Sequence, residues 1–190
     1  MFRKSLFCIA LFICLFSISV QTCSAYQVQR VAVLPVFSGE NSSINKDVEG
    51  IITKALVNKF YMPLSKVVTF FEMIPEADVI GALPIQAKDK KKSKLENTFL
   101  ALVADKLNAD IVIAAEITSC RSESTTNWDG DCLLNTDIGI RIISYHRLSR
   151  VFTEQKDHQS YIGDEVQWGQ PEYIADHMTD ELLKKIPDYR

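Results

Sequence analysis

Two short, uninterrupted apolar runs constrain the fold of this chain more than any other feature. Arg30–Phe37 reads Arg-Val-Ala-Val-Leu-Pro-Val-Phe, and Asp110–Thr118 contains Ile-Val-Ile-Ala-Ala. Short runs rich in β-branched residues are typical of strands buried on both faces. Pro35 cannot donate a ladder hydrogen bond, so we place it near the end of its strand. The two runs predict an α/β domain with a largely covered sheet.

Amphipathic segments lie between and after these runs. The first starts at Asn45, a suitable N-cap, and the last opens at Pro171, which is tolerated in the first turn of a helix. Apolar residues recur at helical spacing in three segments: Val48, Ile51, Ile52, Ala55 and Leu56; Leu95, Phe99, Leu102, Val103 and Leu107; Ile174, Ala175, Met178, Leu182 and Ile186. This spacing predicts three helices, each with one buried face. Glu76–Leu83 is predicted as a further short helix.

Lys66–Met73 and Val151–Tyr161 complete the predicted strands. From Thr136 the pattern alternates, with isoleucines at 138, 140 and 142 and more polar residues between them. Such alternation indicates a strand with one solvated face. Ser119–Asp131 is predicted as a polar loop that turns at Trp128. The expected fold is therefore α/β (α+β): a single mixed sheet of about five strands, with strand–helix crossovers, then a β-meander and a C-terminal helix.

Residues 1–25 have the layout of a secretory signal peptide. Arg3 and Lys4 precede an apolar run, and small residues at 23–25 form a cleavage site. We expect cleavage after Ala25, giving a periplasmic or secreted chain. A retained membrane anchor and lipidation at Cys23 are the alternatives. The apolar run is shorter than the roughly 20 residues of a spanning helix, and Gln21 and Thr22 fit a lipoprotein signal poorly.

Residues 26–190 suit one domain with its own core. Without Arg3 and Lys4 the chain has 19 basic residues against 24 acidic ones. An acidic balance argues against nucleic-acid binding, which depends on neutralising phosphates. A second long apolar segment is absent from the sequence, so we expect no membrane span after residue 25.

Cys120 and Cys132 are the two cysteines that remain after residue 25. In an oxidising compartment an even pair is first interpreted as a disulfide. Two free thiols, or a metal site, are the alternatives. Two thiolates without nearby histidines make only half of a zinc site.

Several other titratable residues are candidates for a functional site. Glu116 lies on a predicted buried strand, where a carboxylate needs a partner, and Arg141 is a candidate. The favoured interpretation is instead that Glu116 is a strand-end residue near solvent. His146 and His158 fall in a hairpin turn and a polar strand, while His177 and Glu181 share a helix face as an expected exposed pair. Asp129-Gly130-Asp131 is interpreted as a turn, since it lacks the other ligands of a calcium loop. These patterns assign no catalytic, cofactor-binding or metal-binding residue.

Three stretches resemble the amino-terminal domain of TolB and the related periplasmic fold of CsgG. Val31–Phe37, followed by a polar loop and a helix, is similar to the family's opening Val-Ala-Val-Leu-Pro-Phe. Ala104–Ile113 resembles its Leu-Gly-Ala-Asp passage from helix to strand. Ile140–Phe152 resembles its Arg-Leu-Val-Asp hairpin. The resemblance implies a TolB-like or CsgG-like domain that works among cell-envelope proteins.

The resulting hypothesis is an exported, non-enzymatic domain that binds another envelope protein or itself. The expected contact loops are Ser38–Asn45 and Ser119–Asp131, with Trp128 as the anchor beside Asp129 and Asn41. An exported hydrolase or metal-dependent enzyme, with an unfamiliar site around Glu116 and the histidines, is the first alternative. A small-ligand carrier with a cleft at the strand ends is the second.

Overall fold

A computed structural model of the chain describes residues 28–39, 45–61, 70–84, 95–164 and 166–189. In these ranges the strands are β1 (Gln29–Val33), β2 (Phe37–Ser38), β3 (Phe71–Met73), β4 (Ile111–Thr126), β5 (Cys132–His146) and β6 (Val151–Gly163). The helices are α1 (Lys46–Phe60), α2 (Glu76–Ala82), α3 (Asn97–Leu107), α4 (Val166–Gly169) and α5 (Pro171–Lys184).

The strands form one mixed sheet in the order β3-β1-β4-β5-β6, with β2 also paired to β4. The pairs β1–β3, β1–β4 and β2–β4 are parallel, whereas β4–β5 and β5–β6 are antiparallel. Helical crossovers thus build the parallel half, and a meander builds the other half. This confirms the predicted fold class.

Two apolar layers enclose the sheet because its central strands are apolar on both faces. Alternate residues of β4 and β5, such as Ile113 and Ile140, pack under α1 and α5. On the opposite face, Val112, Ala114 and Ile143 pack with residues of α2 and α3. The continuous apolar runs therefore follow from helices on both sides, as parallel sheets require.

Local signals in the sequence set the ends of the long helices. Asn45 caps α1, because its Oδ1 accepts hydrogen bonds from the amides of Asp47 (2.9 Å) and Val48 (3.4 Å). Asn108 ends α3 in the left-handed conformation (φ 49°), after which the Ala109 amide donates to the Ala104 carbonyl. Both caps agree with the predicted boundaries.

Several predicted boundaries need correction. The first strand breaks at Leu34–Val36 into β1 and β2, because Pro35 interrupts the ladder. Ser119–Asp131 is not a loop: β4 continues to Thr126, and the turn begins only at Asn127. Of the predicted strand Lys66–Met73, the described part forms β3.

Residues 1–27 lie outside the described ranges, so the signal peptide, the cleavage after Ala25 and lipidation at Cys23 stay predictions. Asn41 and most of the Ser38–Asn45 loop also lie outside them. Within the described ranges, no helix combines the length and the apolar character needed to cross a bilayer.

Candidate functional site: a projecting hairpin arm

The β4–β5 hairpin extends beyond the helices that cover the rest of the sheet. A β-bulge between Ile117 and Ser119 marks the transition. Opposite the bulge, a Cβ atom at Gly139 would come within 2.3 Å of the Thr118 hydroxyl, so a larger residue there would force the Thr118 and Ser119 side chains to move. Past Cys120 the β4 side chains are exposed on both faces as far as Thr126. We call residues 121–135 the arm.

The arm is ordered by its backbone rather than by apolar burial. Arg121–Thr126 pair in continuous register with Cys132–Asp137. Six residues per strand correspond to about 20 Å of extended ladder. Side-chain hydroxyls add cross-strand contacts on one face, for example Ser122 to Thr136 at 3.1 Å. The arm is therefore a paired ribbon whose surface remains available to a partner.

Asn127 organises the tip of the arm. Its side-chain oxygen accepts hydrogen bonds from the amides of Asp129 (3.0 Å) and Asp131 (2.8 Å), and its own amide donates to the Asp131 carbonyl (3.0 Å). Gly130 adopts a φ of 90°, which a residue with a side chain rarely tolerates. This confirms the turn interpretation of Asp129-Gly130-Asp131.

Trp128 is fully exposed at the centre of this turn. Its indole therefore does not pack against its own loop. The side chains of Asp129 and Asp131 lie beside it in sequence, and both residues are exposed. The tip thus presents a large aromatic surface among carboxylates, on a backbone that its own hydrogen bonds hold in one shape.

A second aromatic pair lies near the base of the arm, and no sequence pattern singles it out. Trp168 of α4 and Tyr173 of α5 meet edge to face, with ring centroids 4.8 Å apart, and both are about half exposed. The hydroxyl of Thr136 donates to the Gly169 carbonyl at 2.6 Å and joins α4 to β5. Only the three-dimensional pairing shows that residues 168–173 adjoin the arm.

The predicted Cys120–Cys132 disulfide does not form. Cys120 lies opposite Ile138, whereas Cys132 lies opposite Thr126, six positions farther along the hairpin. That offset is about 20 Å at ~3.4 Å per residue, far beyond the roughly 7 Å between Cα atoms that a disulfide permits. The prediction failed because it assumed a loop between the cysteines, where the chain forms a paired ribbon instead.

The two thiols lie in different environments. Cys120 is buried in the core below the arm. Burial raises the pKa of its thiol, and the carboxylates of Glu172 and Asp137 raise it further. Cys132 is exposed, with its Sγ 2.8 Å from the hydroxyl of Ser124.

Glu116 pairs with Arg141, its candidate partner, and the favoured interpretation of Glu116 as a strand-end residue near solvent is wrong. The two residues lie directly opposite each other, and Arg141 Nη1 donates to Glu116 Oε2 at 3.0 Å. Nε and Nη2 of the same guanidinium donate to Glu154 at 2.9 and 3.1 Å, and Nη2 also reaches the Leu95 carbonyl. These bonds from Arg141 hold the pKa of Glu154 below its usual range, against the opposing effect of burial. Arg141 thus ties three strands together at the base of the arm.

The histidines do not converge with Glu116. His158 Nε2 lies 2.8 Å from Asp137 Oδ1, an oxygen that also accepts a hydrogen bond from Ser160. His146 lies at the other end of β5, seven positions from the residue that pairs with His158. On α5, Glu181 binds Lys184 rather than forming the expected pair with His177. The described residues include no cluster of three or more His, Cys, Asp or Glu side chains that could hold a metal ion.

Two surface grooves lie outside the arm itself. One, of about 730 Å³, runs between α1 and α5 and is lined by Ile51, Lys54 and Tyr173 among others. The other, of about 490 Å³, lies at the amino-terminal ends of β1 and β4 beside Asp110 and Arg147. Ligands of open α/β sheets bind instead at the carboxyl ends of the strands, so neither groove matches the cleft that a carrier would use.

No protein-family model matches the chain, and no curated protein matches its sequence. Among solved structures, the chain is similar to lipoprotein GNA1162 from Neisseria meningitidis (11% identity, TM-score 0.45, 83% of this chain and 99% of that one). It is similar to PelC from Paraburkholderia phytofirmans, a dodecamer, with 13% identity and a TM-score of 0.43 over 84% of this chain and 89% of that one. It is also similar to the C-terminal domain of LpoB from Salmonella enterica, with 12% identity and a TM-score of 0.42 over 75% of this chain and 90% of that one. At identities and TM-scores this low, the function of these proteins cannot be assigned to this chain. The likeness to TolB and CsgG stays a prediction.

Proposed function

We propose that residues 26–190 form an exported, non-enzymatic domain of the cell envelope that binds another envelope protein through the tip of its arm. In this proposal residues 1–25 are the cleaved signal peptide. The observation that carries the proposal is the position of Trp128, fully exposed on a hydrogen-bonded turn at the end of the ribbon.

The energetics favour a binding role for Trp128. A tryptophan buries about 150–250 Å², worth roughly 4–6 kcal/mol at ~25 cal/mol per Å². At the tip none of that gain is realised within the described fold, although an intermolecular contact could realise much of it. Because Asn127 already fixes the turn, a partner would order little additional backbone on binding.

The charges at the tip indicate the chemistry of the partner. Asp129 and Asp131 are exposed beside Trp128 in the turn, whereas Glu123 lies farther down the arm, 3.8 Å from Arg121, the arm's basic residue. A matching surface would therefore have an apolar pocket for the indole, with a rim of lysines or arginines. Such a rim would speed association and make it sensitive to salt.

The first experiment places a photo-crosslinking amino acid at Asp129 in the exported protein and irradiates intact envelopes. We expect one discrete adduct, which disappears when Trp128→Ala is added. The matched control is the same crosslinker at Leu148, an exposed apolar residue (88%) in the β5–β6 turn at the opposite end of the sheet. Equal adducts from both positions would indicate random collision and contradict the proposal.

The second experiment measures affinity for the partner identified from that adduct. Trp128→Ala should weaken binding by at least about thirtyfold, corresponding to a hot-spot loss of ~2 kcal/mol. Leu148→Ala should leave the affinity unchanged. A Trp128→Ala protein that binds as tightly as the parent would overturn the proposal, since both side chains are exposed and neither supports the core.

The enzyme and carrier alternatives gain no support from the described residues. Glu116 is engaged by Arg141, and the histidines lie at separate places on the sheet and on α5. The grooves do not gather these residues either. We therefore put forward the binding function alone.

A further inference from the structure

Strand β6 ends the sheet with a long, regular edge. Its 13 residues pair with β5 in one unbroken register from Val151 to Gly163. Natural edges are usually blunted by bulges, prolines or short length, because an open edge pairs with another strand. This edge contains no proline and no register shift. Its charged side chains therefore determine which strand can pair with it.

The hydrogen-bond pattern shows which backbone groups face outward. The Arg147 amide donates to the Asp110 carbonyl, which makes odd-numbered residues of β5 face β4 and even-numbered ones face β6. With the β5–β6 register, odd-numbered residues of β6 then face β5 and even-numbered ones face out. The His158 amide agrees, since it donates to its neighbour's Asp157 Oδ1 (2.9 Å). The backbone N–H and C=O groups of Glu154 and Lys156 therefore point away from β5 and can form hydrogen bonds with a further strand.

Glu154 and Lys156 differ in their partners on the sheet surface. Glu154 accepts two bonds from Arg141, at 2.9 and 3.1 Å, and keeps an outward side that is open. Lys156 is exposed, lies directly across from Arg141, and has no carboxylate within ion-pair distance among the described residues. Arg141 and Lys156 are two cations side by side across β5 and β6. A carboxylate from a further strand, next to Lys156, would reduce the repulsion between them.

We propose that β6 pairs with β6 of a second copy of this chain, antiparallel and centred on Gln155, so that the two sheets become one. This register places each Glu154 opposite the other copy's Lys156, and each carboxylate then lies between two cations. Centring on Glu154, Lys156 or Asp157 would instead set like charges against each other. The inference goes beyond the proposed function, because it concerns the β6 edge and not the tip of the arm, and the two can fail separately.

Cysteine crosslinking tests the register directly. Gln155→Cys, in a Cys132→Ser background, would bring two thiols to a non-hydrogen-bonded pair with Cα atoms about 4.5 Å apart, which suits a disulfide. Ser160→Cys is the control, because its two copies would be separated by ten positions, about 34 Å. Mild oxidation of the processed, full-length domain should link the first variant and not the second. Absence of the Gln155→Cys dimer, or equal yields from both variants, overturns the proposal.

Charge complementation in sedimentation experiments provides the second test. Lys156→Glu and Glu154→Lys should each weaken self-association at least about tenfold, and an equimolar mixture of the two should recover it, because both cross-edge pairs are then Glu–Lys. Lys54→Glu, the same charge reversal on α1, should change nothing. A parent protein that remains monomeric over the concentration series overturns the proposal. Trp128→Ala should leave the dimer intact. Loss of partner binding through the arm and loss of self-association through β6 are therefore measured independently.

Discussion

The same two strands, β4 and β5, form both the most protected and the most exposed parts of the described fold. In the base, from Ile111 to Ile117 and from Ile138 to Tyr145, helices cover both faces and most side chains are buried. In the arm, both faces of β4 are bare and the residues are mainly Ser, Thr and charged types. One continuous ladder therefore passes from a core into a surface structure.

This difference separates stability from recognition along one hairpin. The base gains its stability from apolar burial, whereas the arm contributes little burial and relies on the ladder that begins in the base. Arg141 and the bulge at Ile117–Ser119 lie at the border between the two regions. Changes in the base should therefore act on folding, and changes in the arm should act on binding.

Thiol reactivity should show the largest contrast between the two regions. Native Cys132 should react with an alkylating reagent at the rate of an exposed thiol, whereas Cys120 should react only when the base opens. An opening free energy of at least ~5 kcal/mol would make Cys120 slower by a factor of about 10³ or more. Mass spectrometry of the labelled domain measures both rates. A domain that is two hydrogens lighter and unreactive at both cysteines would restore the disulfide.

Truncating the base should cost far more stability than truncating the arm. Ile140→Ala removes a fully buried side chain from the core under α1 and α5, and we expect a loss of about 2–5 kcal/mol. Thr125→Ala, in the arm, should change stability by less than about 0.5 kcal/mol. Denaturant unfolding followed by circular dichroism measures both. Comparable losses would show that the arm is part of the core rather than an appendage.

Arg141 should behave as a base residue although it is charged. Arg141→Ala leaves Glu116 and Glu154 without their shared cation, and we expect a loss of about 1–3 kcal/mol, since the site is partly buried. Arg141→Lys should recover only part of it, because an ammonium cannot donate the paired bonds to Glu154. The arm control is Arg121→Ala, whose contact with Glu123 is 3.8 Å long and exposed. Equal effects of Arg141→Ala and Arg121→Ala would contradict the distinction.

The base was predictable from the sequence because burial leaves a pattern. The apolar runs at Arg30–Phe37 and Asp110–Thr118 predicted central strands, and the alternation at residues 138, 140 and 142 predicted the paired strand. The solvated face that this alternation also predicted is wrong, because Gly139 and Ile143 on that face are buried. The pair of Glu116 and Arg141 was one of two interpretations, since a carboxylate on a covered strand needs a cation nearby, although the favoured interpretation placed Glu116 near solvent. Each of these predictions used side chains whose apolar or charged character is required by the residues that pack around them.

The arm was misread because nothing covers it. Ser119–Asp131 has the composition of a loop, and a ribbon that is solvated on both faces has no apolar period to reveal it. That single error also produced the disulfide, because a flexible loop could have brought Cys120 and Cys132 together. The neighbouring Trp168 and Tyr173 could not be found either, since their proximity depends on how α4 docks on β5. Trp128, predicted as the contact anchor, does lie exposed at the tip, and its role as an anchor stays a prediction.

The smallest expected effect is a pH dependence at the border of the two regions. Bonds from Arg141 lower the pKa of Glu154, whereas for Asp137 burial raises the pKa but is outweighed by the Ser160 hydroxyl and His158. A folded-state pKa below the unfolded value of about 4 means that each group stabilises the fold above that pH and loses its contribution as pH falls through the folded value. Both side chains are about one-third exposed, so solvent screening should keep each contribution below about 1 kcal/mol.

Glu154→Gln and Asp137→Asn separate the two contributions. Each variant should be less stable than the parent at neutral pH, and the difference should shrink as acid protonates the parent's carboxylate. The measurement is denaturant unfolding over a pH series from about neutral down to about 2.5. For Glu154→Gln the effect acts on the base, where Arg141 loses its paired acceptor; for Asp137→Asn it acts where the arm begins, opposite Arg121. A difference that stays constant over the whole series would mean that the side chains contribute by packing alone, and the border between base and arm would then not be electrostatic.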